Sequence, residues 1–539
     1  MSADRGPWPL SWDVFLETLG VAPDAARGPA PAEVRRAAYD SRRVEPGDAF
    51  FALPGLKDDG ARFALDAALA GAACVVAEAP TGVALATPPV GEVIVGEARR
   101  ALAEAARALY RDPSSRLSLV GLTGTNGKTT TAFLTRAILA EAGMPAGLVG
   151  TAGYDVGEGL VRGEFTTPEA PELCDLLDRM SARGLAACVL EVSSHALALR
   201  RAFGLSFASV VFTNLTRDHL DFHGSEQAYL EAKLRLFDGE NGGRTSGVTA
   251  VVHVGDPHAP EVLAACARGG MRVVRFALEG AERAATAELV AKDIVLEPRS
   301  TRFTLVEREE GREVRALPLV LPLAGRHNVE NALAAWGAAA ALGADAAAAA
   351  RALTTFRGVP GRLEAIERGQ PFSVFVDYAH TPDALERVLA AVRATLPPGA
   401  RLGVVFGCGG DRDRGKRGLM GIAAVRGADF VVVTDDNPRN ESPGVIRGEA
   451  MKGALEAWKA GAAPSGAEPP AEIAGRRRAL DAAFARAQAG DAILIAGKGH
   501  EVTQSVAGQA LPFDDRREAR RALEALGYGD ATADREVTP

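Results

Sequence analysis

The chain has 539 residues, 47% hydrophobic and 24% charged, with a formal net charge of −8, more than a single core supports, so two or three domains are predicted. Basic and acidic residues are interspersed with no long basic block, which argues against a nucleic-acid partner. The five cysteines (Cys74, Cys174, Cys188, Cys266, Cys408) lack CxxC or Cys/His spacing, so neither a disulfide framework nor a zinc site is expected, and reduced thiols of a cytoplasmic protein fit.

Met1 to Glu17 carries Asp4 and Asp13 and has no continuous apolar core, so no secretory signal is read there. From Pro31 to Leu109 short strands alternate with alanine-rich helices. Pro46-Gly47 and Pro54-Gly55 mark turns beside the run Ala49 to Leu53. Asp40, Ser41 and Arg42 are compatible with turn chemistry alone or with a binding role. A boundary is expected at Arg111-Asp112-Pro113-Ser114-Ser115.

The apolar run Leu117 to Leu122 leads into Thr123-Gly124-Thr125-Asn126-Gly127-Lys128-Thr129-Thr130-Thr131 and a periodic stretch to Ala142. That order predicts strand, tight loop and helix, with Gly143 ending the helix. Glycines let backbone N–H groups converge on phosphate oxygens, the helix N-terminus adds positive potential, and Lys128 supplies a mobile cation. Thr129 stands where a hydroxyl can reach Mg²⁺. Leu122 occupies the position of the first glycine of the usual P-loop pattern, which points to a variant family.

Ala187 to Val192 reads as a buried strand that would bring Glu191 beside the P-loop, as an ion-pair partner or a metal ligand. Phe207 to Phe212 reads as another. The loop Asn214 to Gly224 packs His219 and His223 with Asp218 and Asp221, and Tyr229 to Phe237 is an amphipathic helix in which Lys233 would by default be exposed. Val251 to Val306 reads as short strands with connecting loops. Leu323 onward opens a helix with Asn328 and Asn331 one turn apart, placed to read a ligand edge or to cap. Ala334 to Ala350 is interrupted by Gly337, Gly343 and Asp345, a helix pair and not a membrane span.

Four further strands are expected at Phe372 to Val376, Leu402 to Phe406, Phe430 to Val433 and Ile493 to Ile495. Each precedes a polar or glycine-rich cluster: Asp377 to Pro382, Gly407 to Arg417, Thr434 to Arg439, and Gly497 to Glu501. Strands alternating with helices predict a parallel-rich α/β fold whose ligands gather at the strand C-terminal ends. Ala462 to Pro470 reads as a surface insert and Tyr528 to Pro539 as a loose tail.

Taken together, Gly124 to Thr130, Glu191 to His195, the Asn214 to Asp221 loop, the Lys233 helix, Asp377 to Pro382 and Asp436 to Arg439 resemble the Mur ligases of peptidoglycan synthesis. The resemblance runs from Asp40 to about Glu518. It implies three α/β domains: a UDP-sugar-binding domain over 1–113, a central P-loop ATPase domain over 114–355, and a Rossmann-like, amino-acid-binding domain over 356–539. The implied reaction is ATP-dependent. The D-glutamyl carboxylate of UDP-N-acetylmuramoyl-L-alanyl-D-glutamate is phosphorylated, and meso-diaminopimelate then displaces phosphate to form an amide.

The resemblance assigns ATP to Gly124, Thr125, Asn126, Gly127, Lys128, Thr129, Thr130, Asn328 and Asp377, with Arg362 arriving from the third domain. Catalysis is assigned to Lys128, Lys233, His219, Glu191 and Arg362. It places Mg²⁺ on Thr129, Glu191, His219 and Lys233, the last carbamylated by CO₂, because a cationic lysine cannot ligate a metal. Ser41, Leu56, Lys57, Asp58, Thr166, Thr167, Ser193 and Arg201 are implied in nucleotide-sugar binding. Phe165 and Leu199 depart from the asparagine and glutamine of some members. Arg412, Asp436, Asn437, Pro438, Arg439, Gly497 and Glu501 are implied in gripping diaminopimelate, with Arg439 on its distal carboxylate and Glu501 on its distal ammonium. The partners are small molecules, with no membrane insertion, and a monomer is expected in the cytoplasm. Arg439 argues against a lysine-adding relative, and the Asp40-Ser41-Arg42 domain against a folylpolyglutamate synthase. A P-loop switch would lack the third-domain clusters.

Overall fold

The apolar runs fold into three main sheets that follow one another along the chain, in a computed structural model that describes residues 6–55, 58–86, 89–297 and 299–529. Leu56 and Lys57 lie outside the described residues. The first sheet is parallel throughout, ordered Ala37–Ala38, Ala49–Phe51, Cys74–Ala77, Gly91–Ile94. The helix Ala98–Leu109 lays Ala98, Ala101, Leu102 and Ala105 against it, a stripe at helical spacing.

The second sheet has ten strands. From one edge they run Arg312–Leu321, Thr301–Glu309, Leu289–Leu296, Arg272–Leu278, Thr249–His253, Ser209–Phe212, Ser118–Thr123, Ala187–Glu191, Ala146–Gly150 and Gly153–Asp155. The inner strands are parallel, and both ends turn antiparallel. The expectation of short strands over 251–306 is corrected here: a helix, Ala259–Arg268, intervenes, and the antiparallel strands reach nine and ten residues. Their outer faces carry Arg302, Glu309, Arg312 and Glu313, which break the apolar run without breaking the pairing.

The helices Lys128–Glu141, Arg326–Ala341 and Ala346–Thr354 cover one face of this sheet, as the predicted alanine-rich helix pair requires. Gly337 permits the close approach, since a Cβ there would lie 2.9 Å from the Val251 side chain. The opposite face is covered by Ala170–Ala182, Glu226–Leu234 and Ala259–Arg268.

The third sheet is ordered Glu364–Ala365, Ser373–Asp377, Ala492–Ala496, Leu402–Cys408, Phe430–Asp435, Ala471–Glu472, and is parallel from Ser373–Asp377 onward. The late strand Ala492–Ala496 inserts between two earlier ones. All four predicted clusters therefore leave from one rim. The five cysteines are buried and unpaired. Among the described residues no helix is long and apolar enough to cross a membrane.

Candidate active site

The strand Ser118–Thr123 carries Leu122 fully buried inside it, so the missing first glycine is absorbed by strand and the turn begins at Gly124. Gly124 (φ 145°) and Gly127 (φ 88°) have backbone that disfavours side chains. Space forbids them too: a Cβ would lie 2.0 Å from Thr213 Oγ1 at Gly124 and 2.3 Å from Asn331 Oδ1 at Gly127. The helix opens at Lys128 and ends before Gly143 (φ 75°), as predicted. Lys128 Nζ donates to the carbonyls of Gly124 and Thr125, both at 2.9 Å. Burial lowers its pKa, and Glu191 opposes that shift.

A cleft open to solvent spreads from this loop. Thr125 to Thr130, Thr166, Glu191, Ser193, His219, Asn328, Arg362 and Asp377 line it. Pairing of Ala187–Glu191 with Ser118–Thr123 sets Glu191 opposite Leu122, beside the P-loop as expected. Its carboxylate accepts from Thr151 N at 3.0 Å and Thr151 Oγ1 at 2.9 Å. Gly150 makes room, because a Cβ there would meet Glu191 Oε1 at 2.3 Å.

Asn328 donates to Ala324 O at 2.8 Å, and Asn331 donates to Asn328 Oδ1 at 3.2 Å. The amides thus brace each other while facing the cavity. Arg362 crosses from the third sheet to donate to Thr129 Oγ1 at 3.0 Å and stacks 4.6 Å above Tyr378. Its Nε is buried with no hydrogen-bond partner. Asp377 anchors the Arg362 segment by accepting from Leu363 N at 2.6 Å and from Ala379 N at 2.7 Å. Asn126 reaches back across to Asp383 at 2.9 Å.

The default reading of Lys233 as a surface lysine fails. The helix Glu226–Leu234 turns Tyr229, Leu230, Lys233 and Leu234 inward, and Lys233 is 1% exposed. Its Nζ donates to Gly124 O at 2.9 Å and lies 4.4 Å from the Tyr229 ring centre. Burial, helped by Lys128, drives its pKa well below the usual lysine value. His219, at φ 53°, puts Nε2 3.4 Å from Asp218 Oδ2, and burial holds its imidazole neutral.

Among the described residues no group of three or more His, Cys, Asp or Glu side chains is placed to hold a metal ion. Each of the four expected ligands is engaged elsewhere: Thr129 with Arg362, Glu191 with Thr151, His219 with Asp218, Lys233 with Gly124. The donor chemistry still fits a hard divalent cation, since Thr129 and Glu191 offer oxygens on one wall of the cavity.

The expected nucleotide-sugar residues divide between two places. Thr166 and Ser193 line the cavity. Thr167 joins them by donating to Glu191 O at 2.7 Å, and Arg201 donates to Thr167 O at 3.0 Å. Phe165, the departure from the family pattern, offers its ring to the Arg201 guanidinium at 4.7 Å. Leu199 caps the helix Ser194–Ala198. Ser41 and Asp58 stand in the first unit and do not line the cavity. Asp40 caps the turn Ser41–Arg43 and pairs with Arg42 at 2.8 Å, while Asp58 pairs with Arg62 at 3.2 Å.

The expected amino-acid residues gather on the third sheet's rim, outside that cavity. Arg439 (φ 52°) donates to Gly410 O at 2.6 Å. Burial and then the neighbouring Arg412 lower its pKa. Arg412 itself donates to Asp411 O at 3.1 Å. Asp436 is buried against Gly497, where a Cβ would lie 2.5 Å from Asp436 Oδ2. The carbonyl of Pro438 lies where a Cβ on Gly410 would stand 1.9 Å away. Asn437 donates to Glu501 Oε2 at 2.7 Å.

Sequence reasoning gave no role to Thr151, to Lys416, which reaches within 3.8 Å of Asp218, or to Lys498. Lys416 and Lys498 stand inside clusters already singled out, which is the only signal the sequence offers for them.

Burial also holds His327 down to about 4 and His500 to about 3, against an ordinary 6.5. The unfolded chain takes up these protons first as pH falls, so the stability from keeping the rings neutral is present above about pH 6.5 and declines toward about pH 4. The melting temperature is expected to fall over that window. Burial lowers His195, His219, His223 and His380 as well, so replacing His327 and His500 with glutamine is expected to lessen the fall without abolishing it; an unchanged profile in the double variant would remove these two as contributors.

Family models match in three stretches: the Mur ligase family catalytic domain over 33–112, the Mur ligase middle domain over 122–339, and the Mur ligase glutamate ligase domain over 361–499. The chain is 42% identical over 501 residues to the UDP-N-acetylmuramoyl-L-alanyl-D-glutamate–2,6-diaminopimelate ligase of Solibacter usitatus, covering 93% of this chain and 95% of that protein. To the protein of the same name from Brucella melitensis it is 41% identical over 515 residues, covering 95% and 98%. A solved structure of such a ligase superposes with a TM-score of 0.66 at 32% identity, covering 97% of this chain and all of that one. MurF from Acinetobacter baumannii shares the fold at 21% identity, with a TM-score of 0.60 and coverage of 91% and 96%. Since the likeness extends through all three sheets and takes in both walls of the cavity, the chain belongs to the Mur ligase family.

Proposed function

We propose that the protein is the ATP-dependent ligase that adds meso-diaminopimelate to UDP-N-acetylmuramoyl-L-alanyl-D-glutamate, in the cytoplasmic synthesis of peptidoglycan precursor. The observation that carries this reading is the cavity shared by the P-loop and Arg362, with an arginine-bearing rim beyond it. The names of the relatives point the same way.

Amide formation from a carboxylate and an ammonium group is uphill in water, so the carboxylate must first be activated. A D-glutamyl carboxylate oxygen attacks the γ-phosphorus of ATP, the bond to the ADP oxygen breaks, and an acyl phosphate remains. The free amine of diaminopimelate attacks the acyl carbon, loses a proton, and phosphate leaves. Little covalent chemistry falls to the protein, so positioning and charge stabilisation dominate. Backbone N–H groups of Gly124 to Thr130 cradle the phosphates, and Lys128 swings from its carbonyl partners onto them. Arg362 leaves Thr129 for the transferring phosphoryl group, and Asn328 and Asp377 border the nucleotide.

Thr129, Glu191, His219 and carbamylated Lys233 would hold Mg²⁺, which neutralises phosphate charge when bound. Carbamylation needs an uncharged amine, and burial favours that form of Lys233. Ser41 and Asp58 from the first unit, with Thr166, Thr167, Ser193 and Arg201, would hold the nucleotide sugar. Arg412, Asp436, Asn437, Pro438, Arg439, Gly497 and Glu501 would hold diaminopimelate. The sheet boundaries support units of 1–113, 114–355 and 356–539.

The test is ADP release and product mass with Mg²⁺, ATP and the nucleotide dipeptide, comparing meso-diaminopimelate, L-lysine and no amino acid. Turnover stimulated by diaminopimelate alone, with a tripeptide product, is expected. Equal stimulation by lysine would overturn the amino-acid assignment. Turnover indifferent to any amino acid would overturn the ligase.

A further inference from the structure

We propose that Lys498 is a positioning residue that sets the charge balance of the amino-acid pocket, and with it the preference for a substrate end bearing both a carboxylate and an ammonium group. The inference rests on the reading of Arg439 and Glu501 as the diaminopimelate pocket.

The Lys498 side chain is fully buried. Its Nζ donates to Glu501 Oε2 at 2.8 Å, to Thr503 O at 2.8 Å and to Asn437 Oδ1 at 3.2 Å. An ammonium has three protons, and three oxygens take them, so Lys498 is neither nucleophile nor base. Its acceptors belong to three different pieces of the pocket. Glu501 follows the strand Ala492–Ala496, Asn437 follows Phe430–Asp435, and Thr503 opens the hairpin Thr503–Val506 with Gln509–Pro512.

That hairpin is what holds Arg439. Arg439 N donates to Ser505 O at 2.9 Å and Ala507 N donates to Arg439 O at 2.6 Å, which fixes the left-handed backbone at φ 52°. Asn437 ties in the same hairpin by accepting from Ser505 N at 2.9 Å. Lys498 therefore fastens the hairpin that aims the guanidinium. It also offsets one carboxylate of a pocket in which Asp436 and Glu501 face Arg412 and Arg439. Both bonds to Glu501 fall on Oε2, which leaves Oε1 to take a substrate ammonium. Without the lysine charge, the pocket turns more negative and a carboxylate-bearing substrate loses most.

Lys498→Met is the test, run beside wild type with separate KM values for diaminopimelate, L-lysine, ATP and the nucleotide dipeptide. The KM for diaminopimelate is expected to rise roughly tenfold and the preference over lysine to fall by a similar factor. The KM values for ATP and dipeptide stay within about twofold because those groups bind elsewhere. Lys498→Gln, which keeps two donors without the charge, is expected to shift the preference the same way, and it serves if the methionine variant does not fold. In Lys498→Met/Glu501→Gln the local charge returns to its original value, so part of the lost preference is expected to come back, which mere loosening of the hairpin would not produce. An unchanged preference, an equal rise in the KM for ATP, or a double variant no better than the single one overturns the inference. If wild type itself makes no diaminopimelate product, the pocket reading fails and this inference falls with it; a selective wild type with an equally selective Lys498→Met removes the inference alone.

Discussion

Lys233→Ala is expected to lower tripeptide formation by roughly a thousandfold or more while leaving the melting temperature unchanged or higher. The two halves of this expectation have one cause. Lys233 is buried behind the P-loop with a carbonyl and an aromatic ring as neighbours, and among the described residues no carboxylate pairs with it. A buried group of that kind strains the fold, so its removal relieves the protein even though Gly124 O loses a donor.

Carbamylation would make Lys233 an anion behind the P-loop, where its Nζ now meets Gly124 O, and alanine cannot carry it. Added bicarbonate is therefore not expected to restore the variant. Isotopically labelled bicarbonate should give a carbamate carbonyl signal in wild type and none in Lys233→Ala. Full activity in the variant would take the carbamate out of the mechanism. A large drop in melting temperature would mean that Lys233 serves the fold instead.

Arg439→Ala is expected to reduce kcat/KM for meso-diaminopimelate by roughly a hundredfold to a thousandfold, or about 3–4 kcal/mol, the scale of a lost charge-assisted pair. Among the described residues the guanidinium donates to Gly410 O, and it stands beside Arg412. Two adjacent guanidinium groups, with Asp436 and Glu501 near them, suit a substrate end that carries a carboxylate. L-lysine has no distal carboxylate, so kcat/KM for it is expected to change little and the preference to collapse. The backbone at residue 439 is already left-handed with a side chain present, so alanine adds no new strain there. A variant that keeps the wild-type preference would move specificity to another part of the rim.

The parts of this protein that the sequence disclosed are those whose chemistry is local. Gly124, Gly127, Lys128 and Thr129 announce a phosphate loop because each is needed within one turn of chain. The third-sheet strands are buried on both faces, so they read as unbroken apolar runs. The antiparallel strands Thr301–Glu309 and Arg312–Leu321 defeated the same reading because one face is solvated and charged. Lys233 carries no sign of its burial, since a lysine on an amphipathic helix is ordinarily exposed. The contact from Arg362 to Thr129 joins residues 233 positions apart, and no local pattern encodes it. The stacking of Arg201 on Phe165 and the fastening by Lys498 likewise depend on where distant loops meet.

The buried cysteines have one more consequence. Cys74 lies in the first core, Cys174, Cys188 and Cys266 in the middle of the chain, and Cys408 in the third. Burial pushes Cys188, Cys266 and Cys408 up to about 12, and Cys74 and Cys174 higher still. At neutral pH the reactive thiolate is absent from the closed protein, so alkylation proceeds only as fast as each neighbourhood opens. The chain thus carries its own set of clocks, one or more per unit. Cys188 and Cys408 sit on strands that lead to the P-loop cavity and to the third-sheet rim, so a ligand that bridges those places is expected to slow these two clocks and leave Cys74 running at its own pace.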